Sequence, residues 1–321
     1  MGKLKKIALW QKILLSLFVL LLVSVGGAYF YIHNLLDKTE KVEINEENLG
    51  ITPENKELAV KNKGVTNIAL FGVDAQNGNT GRSDAIMILT IDKDHDKIKL
   101  SSIMRDSYTD INGHGKDKIT HAYAFGGPEL ALNTINKNFN LSIDKFITVN
   151  FTTLPKIVDK IGGIEMNLTE GDLKYINDYI NNVNKINNTN SSNITQPGVK
   201  TLNGTQALAY ARIRYDGGDQ RRTERHRNVI TAIFNKIKEM PVSSYPGTLN
   251  ELLPLVSTNI SSSQFMSLGK DIISTGANSI EEYRVPCNNH SNGKNINGVY
   301  YMTFDIGAET KELHKFIYED N

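Results

Sequence analysis

Cysteine is almost absent from this chain, since Cys287 is the single cysteine among 321 residues. One cysteine excludes an internal disulfide framework, a cysteine-ligated structural zinc site and an iron–sulfur cluster. A surplus of charge is absent too, because 36 Lys+Arg residues face 35 Asp+Glu residues and leave a net charge of +1. The chain therefore lacks the basic excess that attracts proteins to nucleic acid, and nucleic acid is not an expected partner.

The remaining composition is that of a folded protein. Hydrophobic residues make up 40% of the chain and charged residues 22%, which is enough apolar material for a core. The length corresponds to one large domain or two modest ones. No internal repeat is visible.

Charged residues are missing from an apolar run at residues 13–32. A helix of that length is about 30 Å long and matches the hydrocarbon core of a bilayer. Lysines precede the run and acidic residues follow it, so the positive-inside rule predicts a cytoplasmic tail at 1–12 and an extracellular remainder. We therefore expect a single-pass membrane protein in contact with the lipid bilayer. The alternative is a signal peptide cleaved near residues 26–28, which exports the same domain.

The rest of the chain predicts one α/β domain. Residues 33–63 are polar and indicate an extracellular stalk, followed by the domain at 64–321. Alternating β-type and helical patterns favour an α/β layered fold with a largely buried sheet. The predicted strands lie at 66–71, 85–91, 98–103 and 145–150, and the predicted helices at 120–138, 152–161 and 219–240. Residues 177–193 are rich in Asn without periodicity and predict a variable surface loop.

Arginine is scarce and unevenly placed. The chain has nine arginines, and six of them fall between residues 212 and 227. A protein that otherwise uses lysine has placed arginine selectively here. The rigid five-donor guanidinium suits bidentate recognition of phosphate. The six are Arg212, Arg214, Arg221, Arg222, Arg225 and Arg227.

Periodicity gives some of these arginines a direction. In a strand, Arg212 and Arg214 would share one face. On the helix at 219–240, the apolar stripe through Val229 continues back to His226 and passes close to Arg222, so both should point inward. Inward charges need a partner, and we expect an anionic ligand at Arg212, Arg214 and Arg222. The outward positions should pair with surface acids: Arg221 and Arg227.

Two aspartates stand at the ends of predicted strands. Asp74 follows the first strand and Asp84 precedes the second, while Arg105 closes the third. Sheet ends carry the sites of α/β folds, and carboxylates beside a polyphosphate commonly hold Mg²⁺. Each aspartate alone is equally consistent with a turn or a helix cap. Together with the arginines, they predict a metal-assisted pyrophosphate site.

The sequence resembles the LytR–CpsA–Psr family of cell-wall proteins. The resemblance covers residues 64–240 and rests on four stretches in order: NIALFGVD, GRSDAIMILT, SIMRD and LNGTQALAYARIRYDGGDQRRTERHR. It implies an α/β/α sandwich around a mixed central sheet, with an apolar pocket for a polyprenyl chain and one membrane anchor in a Gram-positive envelope. Such proteins move an anionic glycopolymer, a teichoic acid or a capsule-like polysaccharide, from a polyprenyl-pyrophosphate carrier to a peptidoglycan hydroxyl.

The resemblance also implies roles for single residues. Asp74 and Asp84 match the aspartates associated with Mg²⁺ (or Mn²⁺), and they count with Arg105 as catalytic. His226 stands where the family often has Gln, so its role stays open. Arg225 matches a family position, although its computed direction is less inward. The arginines matched to the pyrophosphate are Arg82, Arg105, Arg212, Arg214 and Arg222. Suggested pocket residues from the helices at 120–138 and 203–211 are Ala122, Ala124, Leu130, Leu132 and Leu208.

Three other functions remain open. The protein could hold wall polymer as a non-catalytic binding or regulatory protein, and only catalysis requires the aspartates for turnover. A pyrophosphatase side activity would release free polymer phosphate. Transcriptional regulation is disfavoured, because the predicted topology places the arginines outside the cell.

Overall fold

The protein is described by a computed structural model over residues 40–75, 81–215, 218–241 and 244–320. Within these ranges, no helix has the length and apolarity needed to cross a membrane. The membrane helix predicted at 13–32 lies outside the described residues.

Strands and helices alternate along the chain. The strands are β1 (Glu40–Lys41), β2 (Val65–Val73), β3 (Ser83–Asp92), β4 (Lys97–Ile103), β5 (Tyr108–Ile111), β6 (Gly115–Lys118), β7 (Phe146–Asn150), β8 (Ile164–Leu168), β9 (Gly198–Leu202), β10 (Ser257–Thr258), β11 (Ile280–Val285), β12 (Ser291–Ile296) and β13 (Val299–Phe304). The helices are α1 (Pro53–Lys61), α2 (Thr120–Phe139), α3 (Thr153–Lys160), α4 (Glu170–Asn187), α5 (Gly204–Arg212), α6 (Gly218–Glu239), α7 (Tyr245–Leu252), α8 (Ser262–Thr275) and α9 (Ile306–Tyr318).

A seven-stranded mixed sheet forms the centre, in the order β1-β10-β7-β2-β3-β4-β11. β2 runs parallel to β7, and β4 runs parallel to β11. β3 lies between β2 and β4 and is antiparallel to both. The carboxyl ends of β2, β4, β7 and β11 and the amino end of β3 therefore lie at the same end of the sheet. The residues of the candidate site lie at this end. The α/β fold class is confirmed.

Alternation along the strands builds a core on each face of the sheet. Ala69 and Phe71 of β2 join the large apolar cluster that includes Tyr123 of α2 and Leu313 of α9. Ile68 faces the other way and packs with residues of α8. A third cluster holds α3 to α6 together with the β8–β9 hairpin. Helices thus cover both faces, and α2 bends at 126–127 on its way across one of them.

Residues 40–63 differ from the expected stalk. β1 adds a short strand to the sheet beside β10, and α1 begins behind a Thr52 side-chain cap. Leu49 is fully buried and belongs to the main core cluster. Its carbonyl accepts a hydrogen bond from the Asn136 side-chain amide at 2.9 Å. One buried leucine and a strand of two residues fix a segment whose composition is otherwise that of a linker.

The surface loop predicted at 177–193 is wrong as far as residue 187, because α4 continues to Asn187. Thr169 and Asp172 form a reciprocal capping box at the helix start. Ile176, Ile180 and Val183 recur at helical spacing and are buried. The many asparagines at the other positions made the helical spacing of these apolar residues difficult to recognise in the sequence.

The helix predicted at 203–211 is confirmed, and the strand geometry considered for Arg212 and Arg214 does not occur. A capping box between Asn203 and Gln206 starts α5, and an alanine-rich stretch carries the helix to Arg212. Ile213 then turns to an extended conformation with φ −59° and ψ 126°. Arg212 ends the helix and Arg214 follows it, so the two side chains do not share a strand face.

Candidate active site

At this end of the sheet, four predicted residues form one charge cluster. Asp84 Oδ1 lies 2.8 Å from Arg105 Nη1, and Asp84 Oδ2 lies 2.6 Å from Arg222 Nη2. Arg214 Nη2 approaches the same Oδ2 at 3.6 Å. The carboxylate at the start of β3 therefore organises arginines from the end of β4 and from α6.

Asp84 is held ionised by its neighbours. Its burial alone would raise the pKa, but the charges of Arg222 and Arg105 outweigh burial and lower the pKa of Asp84 to about 2. Such a carboxylate is a weak proton acceptor near neutral pH. Its chemistry is to fix guanidinium groups or to bind a cation.

Arg222 has more hydrogen-bonding capacity than the protein uses. It is 2% exposed, and the predicted inward direction is confirmed. Among the described residues, neither Nε nor Nη1 of Arg222 has a hydrogen-bond partner. Nη1 lies 3.9 Å from Asp219 Oδ1, which is beyond hydrogen-bond distance. Unpaired buried donors on a cation are costly, and an anion from outside the protein would satisfy them.

Arg212 and Arg214 stand further out. Arg212 lies over the Phe151 ring at 4.9 Å and donates a hydrogen bond to Asn182 at 3.2 Å. Arg214 is more exposed, with 54% of its side chain accessible. The two extend the positive charge from buried Arg222 toward solvent, as an entry for an anion requires.

An apolar cavity lies between the sheet and helices α3, α5 and α6. Its volume is about 120 Å³, and its walls include Leu70, Met87, Val149, Leu154 and Ile230. A second cavity of about 50 Å³ shares some of these walls and is also lined by Asp84, Arg212, Arg222, Leu208 and His226. The apolar cavity is therefore adjacent to the charge cluster.

The predicted pocket lining is only partly right. Leu208 lines the second cavity. Ala122 and Leu132 are instead packed in the main core on the α2 face of the sheet. Ala124 is exposed and Leu130 is half-buried against that same core. Helix α2 covers the opposite face, and the sequence pattern did not distinguish the two faces.

His226 stands one helical turn beyond Arg222 and lines both cavities. Burial, with the positive charge of Arg222, lowers the pKa of His226 to about 3. The imidazole is therefore neutral near pH 7, and it hydrogen-bonds the Ala211 backbone. The neutral ring lies between the apolar cavity and the charge cluster, so the predicted inward direction of His226 is confirmed.

His226 should give the fold an acid-side weakness. In the unfolded chain the His226 imidazole has a pKa near 6.5, whereas in the folded chain its pKa is about 3. The unfolded state therefore binds more protons between these values, so the free energy of unfolding falls as the pH drops from about 6.5 toward 3. Between pH 7 and pH 5 we expect a loss of about 1–2 kcal/mol in the free energy of unfolding. Urea titrations of wild type and His226→Gln measure it. Equal losses in both proteins would contradict the assignment.

Asp219, the first residue of the predicted helix at 219–240, also belongs to the cluster, although the sequence did not identify it as a site residue. Its Oδ1 accepts a hydrogen bond from Arg105 Nε at 3.1 Å. Burial and the nearby charge of Asp106 raise the pKa of Asp219. Its position in the first turn of α6, three residues before Arg222, was the available signal.

Asp74 and Arg82 flank the cluster at the ends of β2 and β3, and both are exposed. The Asp74 N–H donates to the Arg82 carbonyl at 2.9 Å, which closes the two strands. Asp84, on β3, belongs to the same edge. Asp74 and Asp84 are carboxylates at the ends of neighbouring strands, and carboxylate oxygen is the kind of ligand that Mg²⁺ takes together with phosphate oxygens.

Arg225 lies apart from the cluster, and it is buried more deeply than its less inward predicted direction suggested. It is 2% exposed, and Nε and Nη2 both donate to Asp172 Oδ1, at 2.9 and 2.7 Å. Asp172 is the acidic member of the α4 capping box with Thr169. The pair therefore ties α6 to the start of α4.

We expect Arg225→Met to lower the free energy of unfolding by about 3 kcal/mol, because it leaves the Asp172 carboxylate buried without its cation. The double variant with Asp172→Asn should lose less than the sum of the two single losses. Urea denaturation of the three variants tests the coupling. Wild-type stability with lost diphosphate binding would instead make Arg225 a ligand residue.

The two remaining arginines of the six pair with acidic residues, and Arg221 is the well-exposed one, since the Arg227 side chain is 12% exposed. Arg221 pairs with Glu224 at 3.5 Å, and Arg227 pairs with Glu282 at 2.8 Å. Both predictions of pairing with acidic residues are confirmed. Arg221 thus offers a matched exposed neighbour for tests of Arg222.

Comparison with known proteins agrees with this arrangement. A Bacillus cereus protein named polyisoprenyl-teichoic acid–peptidoglycan teichoic acid transferase TagU is 31% identical over 321 residues, covering 97% of this chain and 96% of its own. A solved structure of TagT bound to LI-WTA is 27% identical with a TM-score of 0.64, covering 79% and 91% of the two chains. Another, YwtF (TagT) with bound octaprenyl pyrophosphate lipid, is 26% identical with a TM-score of 0.60 and coverage of 80% and 91%.

The sequence model of the LytR–CpsA–Psr family (LytR_cpsA_psr) matches residues 21–316. That span contains the whole charge cluster, both cavities and most of the described fold. The chain belongs to the LytR–CpsA–Psr family.

Proposed function

We propose that this protein is a phosphotransferase that moves an anionic glycopolymer from a polyprenyl-pyrophosphate carrier to a peptidoglycan hydroxyl and releases polyprenyl phosphate. The observation that carries the proposal is the junction of the apolar cavity with buried Arg222, whose Nε and Nη1 lack partners in the described chain. An amphiphile with a diphosphate head and a hydrocarbon tail has this combination of chemistry. The names of the relatives support the same substrate class.

The arginines would hold the two phosphates. Arg222 offers its unpaired donors at the buried end, while Arg212 and Arg214 reach the site from the solvent side. Arg105 is fixed between Asp84 and Asp219 and adds charge without freedom to move. Prepositioned cations stabilise charge that develops on transferring phosphoryl oxygens.

The tail would occupy the apolar cavity. At about 120 Å³ the space holds only part of a polyprenyl chain, so helices α3, α5 and α6 must separate from the sheet for the remainder. His226, kept neutral, would mark the boundary between tail and diphosphate.

The transfer itself exchanges one phosphorus–oxygen bond for another. The acceptor hydroxyl oxygen attacks the phosphorus nearest the glycopolymer, and the phosphoanhydride bond to the polyprenyl phosphate breaks. The hydroxyl proton passes to solvent or a carboxylate, and the polymer ends in a phosphodiester. Asp84 acts by positioning Arg105 and Arg222, since its pKa of about 2 leaves it a poor base.

A divalent ion fits this proposal. Asp74 and Asp84 would hold Mg²⁺ (or Mn²⁺), and the ion would neutralise phosphate charge when bound. The predicted membrane helix at 13–32 would keep the domain at the outer bilayer surface, where a polyprenyl carrier resides. These two assignments belong to the proposal.

The proposal is tested with the full-length protein in detergent, a polyprenyl-pyrophosphate glycopolymer, uncrosslinked peptidoglycan and Mg²⁺. We expect a phosphodiester-linked product by mass spectrometry, and at least about tenfold less of it with Asp74→Ala. Asp94→Ala is the matched control, because Asp94 is an exposed aspartate in the β3–β4 turn at the opposite end of the sheet.

Other outcomes separate the alternatives. Tight carrier binding without product, repeated with a second polymer, would favour a non-catalytic wall-polymer binding protein. Free polymer phosphate without acceptor linkage would indicate a pyrophosphatase. Product formation that is equal in wild type and Asp74→Ala would remove that aspartate from the site.

A further inference from the structure

A second group of polar side chains lies one strand away from the charge cluster. Cys287 and His290 follow the end of β11, and Glu309 lies in the first turn of α9. Cys287 Sγ is 3.5 Å from His290 Nδ1, and His290 Nδ1 is 2.9 Å from Glu309 Oε1. One ligand atom from each residue lies within 4.8 Å of the others.

Glu309 is an unusual member of this group because it is completely buried. Its Oε1 accepts the Cys287 N–H at 3.0 Å and contacts His290. In the part of the chain that the structure describes, Oε2 has no hydrogen-bond partner. A buried carboxylate oxygen without a partner is costly, and a bound cation would repay that cost.

We propose that Cys287, His290 and Glu309 bind a single Zn²⁺ ion. In a tetrahedral site with the usual Zn–S and Zn–N distances, sulfur and nitrogen are about 3.6 Å apart. Cys287 Sγ and His290 Nδ1 are separated by 3.5 Å, so little movement is needed. Glu309 lies closer to the imidazole than two ligands of one ion do, and its carboxylate would shift by a few tenths of an ångström.

The donor set selects the metal. A thiolate and an imidazole favour zinc and related transition ions, whereas Mg²⁺ and Ca²⁺ prefer oxygen alone. The proposal departs from the expectation that a single cysteine excludes a cysteine-ligated zinc site, because an imidazole and a carboxylate supply the other two protein ligands. Three protein ligands of mixed type leave a fourth position for water. Cys287 and His290 are half-buried, so an ion has access from solvent.

The position gives the ion a mechanical role. β11 is the edge strand beside β4, and the Met104 N–H donates to the Val285 carbonyl at 2.7 Å. Met104 directly precedes Arg105 of the charge cluster. An ion that ties the end of β11 to α9 would brace the segment that carries Arg105. This inference concerns a separate site and does not depend on the proposed transfer activity.

Titration of the full-length protein with Co²⁺ tests the proposal. Because Cys287 is the single cysteine of the chain, a thiolate-to-cobalt charge-transfer absorption reports this site alone. We expect one equivalent of Co²⁺ to produce the absorption, one equivalent of Zn²⁺ to abolish it, and the thiol proton to appear in the buffer. Zinc should also raise the melting temperature.

Matched variants localise the signal. Cys287→Ser should remove the absorption, and His290→Ala and Glu309→Gln should each weaken cobalt affinity at least about tenfold. His121→Ala is the control, because His121 is also partly buried and contacts a carboxylate, Asp117, at 2.7 Å. His290 is 30% exposed, so its variant should remain folded even if Glu309→Gln does not. No absorption, or one that persists unchanged in His290→Ala, would overturn the site.

Discussion

Arg222→Gln lowers the rate of polymer transfer about 10²–10³-fold on our account, with the protein still folded. The glutamine has no charge to place beside the phosphates and removes the unpaired guanidinium donors at the buried end of the cavity. Asp84 keeps Arg105 at 2.8 Å and Arg214 at 3.6 Å, so the variant does not leave its carboxylate without a cation. The measurement is initial transfer rate against carrier concentration.

Arg221→Gln supplies the control for this experiment. Arg221 is the adjacent arginine on α6, but it is 41% exposed and pairs with Glu224. We expect a near wild-type rate, because an exposed pair of this kind contributes little. Equal rates for Arg222→Gln and wild type would contradict the site, as would equal losses in both arginine variants.

Asp84→Asn separates binding from turnover. Removing the carboxylate charge leaves Arg105, Arg214 and Arg222 in place with less compensation, so affinity for a polyprenyl diphosphate should hold or increase. Turnover should fall about 10²–10³-fold, because the arginines lose their common anchor and the proposed metal loses a ligand. Equilibrium binding and single-turnover transfer measure the two quantities.

Two controls accompany the Asp84→Asn variant: the pH dependence of its stability and a substitution of a second aspartate, Asp94. Asp84→Asn also removes a group whose folded pKa is about 2, so the variant should lose less stability than wild type as pH falls from about 4 toward 2. Asp94→Asn should change neither transfer nor binding. Wild-type turnover by Asp84→Asn would show that the carboxylate only supports the fold.

Sequence periodicity located the centre of the site. An apolar stripe on one helix pointed Arg222 and His226 inward, and both line the cavities at the sheet edge. Strand-end positions likewise placed Asp84 and Arg105 together, because the topology gathers the ends of β2, β4 and the start of β3. Arg222 and His226 were predictable because their direction follows from the periodicity of one helix, and Asp84 and Arg105 because sites of α/β folds lie at strand ends.

Other features needed tertiary information. Arg225 is buried in an ion pair with Asp172 of α4, and the sequence pattern of α6 alone does not reveal a partner on another helix. Helix α5 extends to Arg212, so the two-residue spacing of Arg212 and Arg214 does not place them on one strand face. Cys287, His290 and Glu309 are separated in sequence and meet only through the packing of α9 against the edge strand. Leu132 and Leu208 look alike in sequence and lie on opposite faces of the sheet.

The central claim is that the arginine cluster and the apolar cavity form a single site for a polyprenyl diphosphate. A crystal structure of the protein with a short-chain polyprenyl diphosphate tests it most directly. We predict phosphate oxygens within hydrogen-bond distance of Arg222 Nε or Nη1 and of Arg212, with the hydrocarbon chain between Leu70, Val149 and Ile230. A diphosphate bound away from Arg222, or a tail lying outside that cavity, would contradict the account.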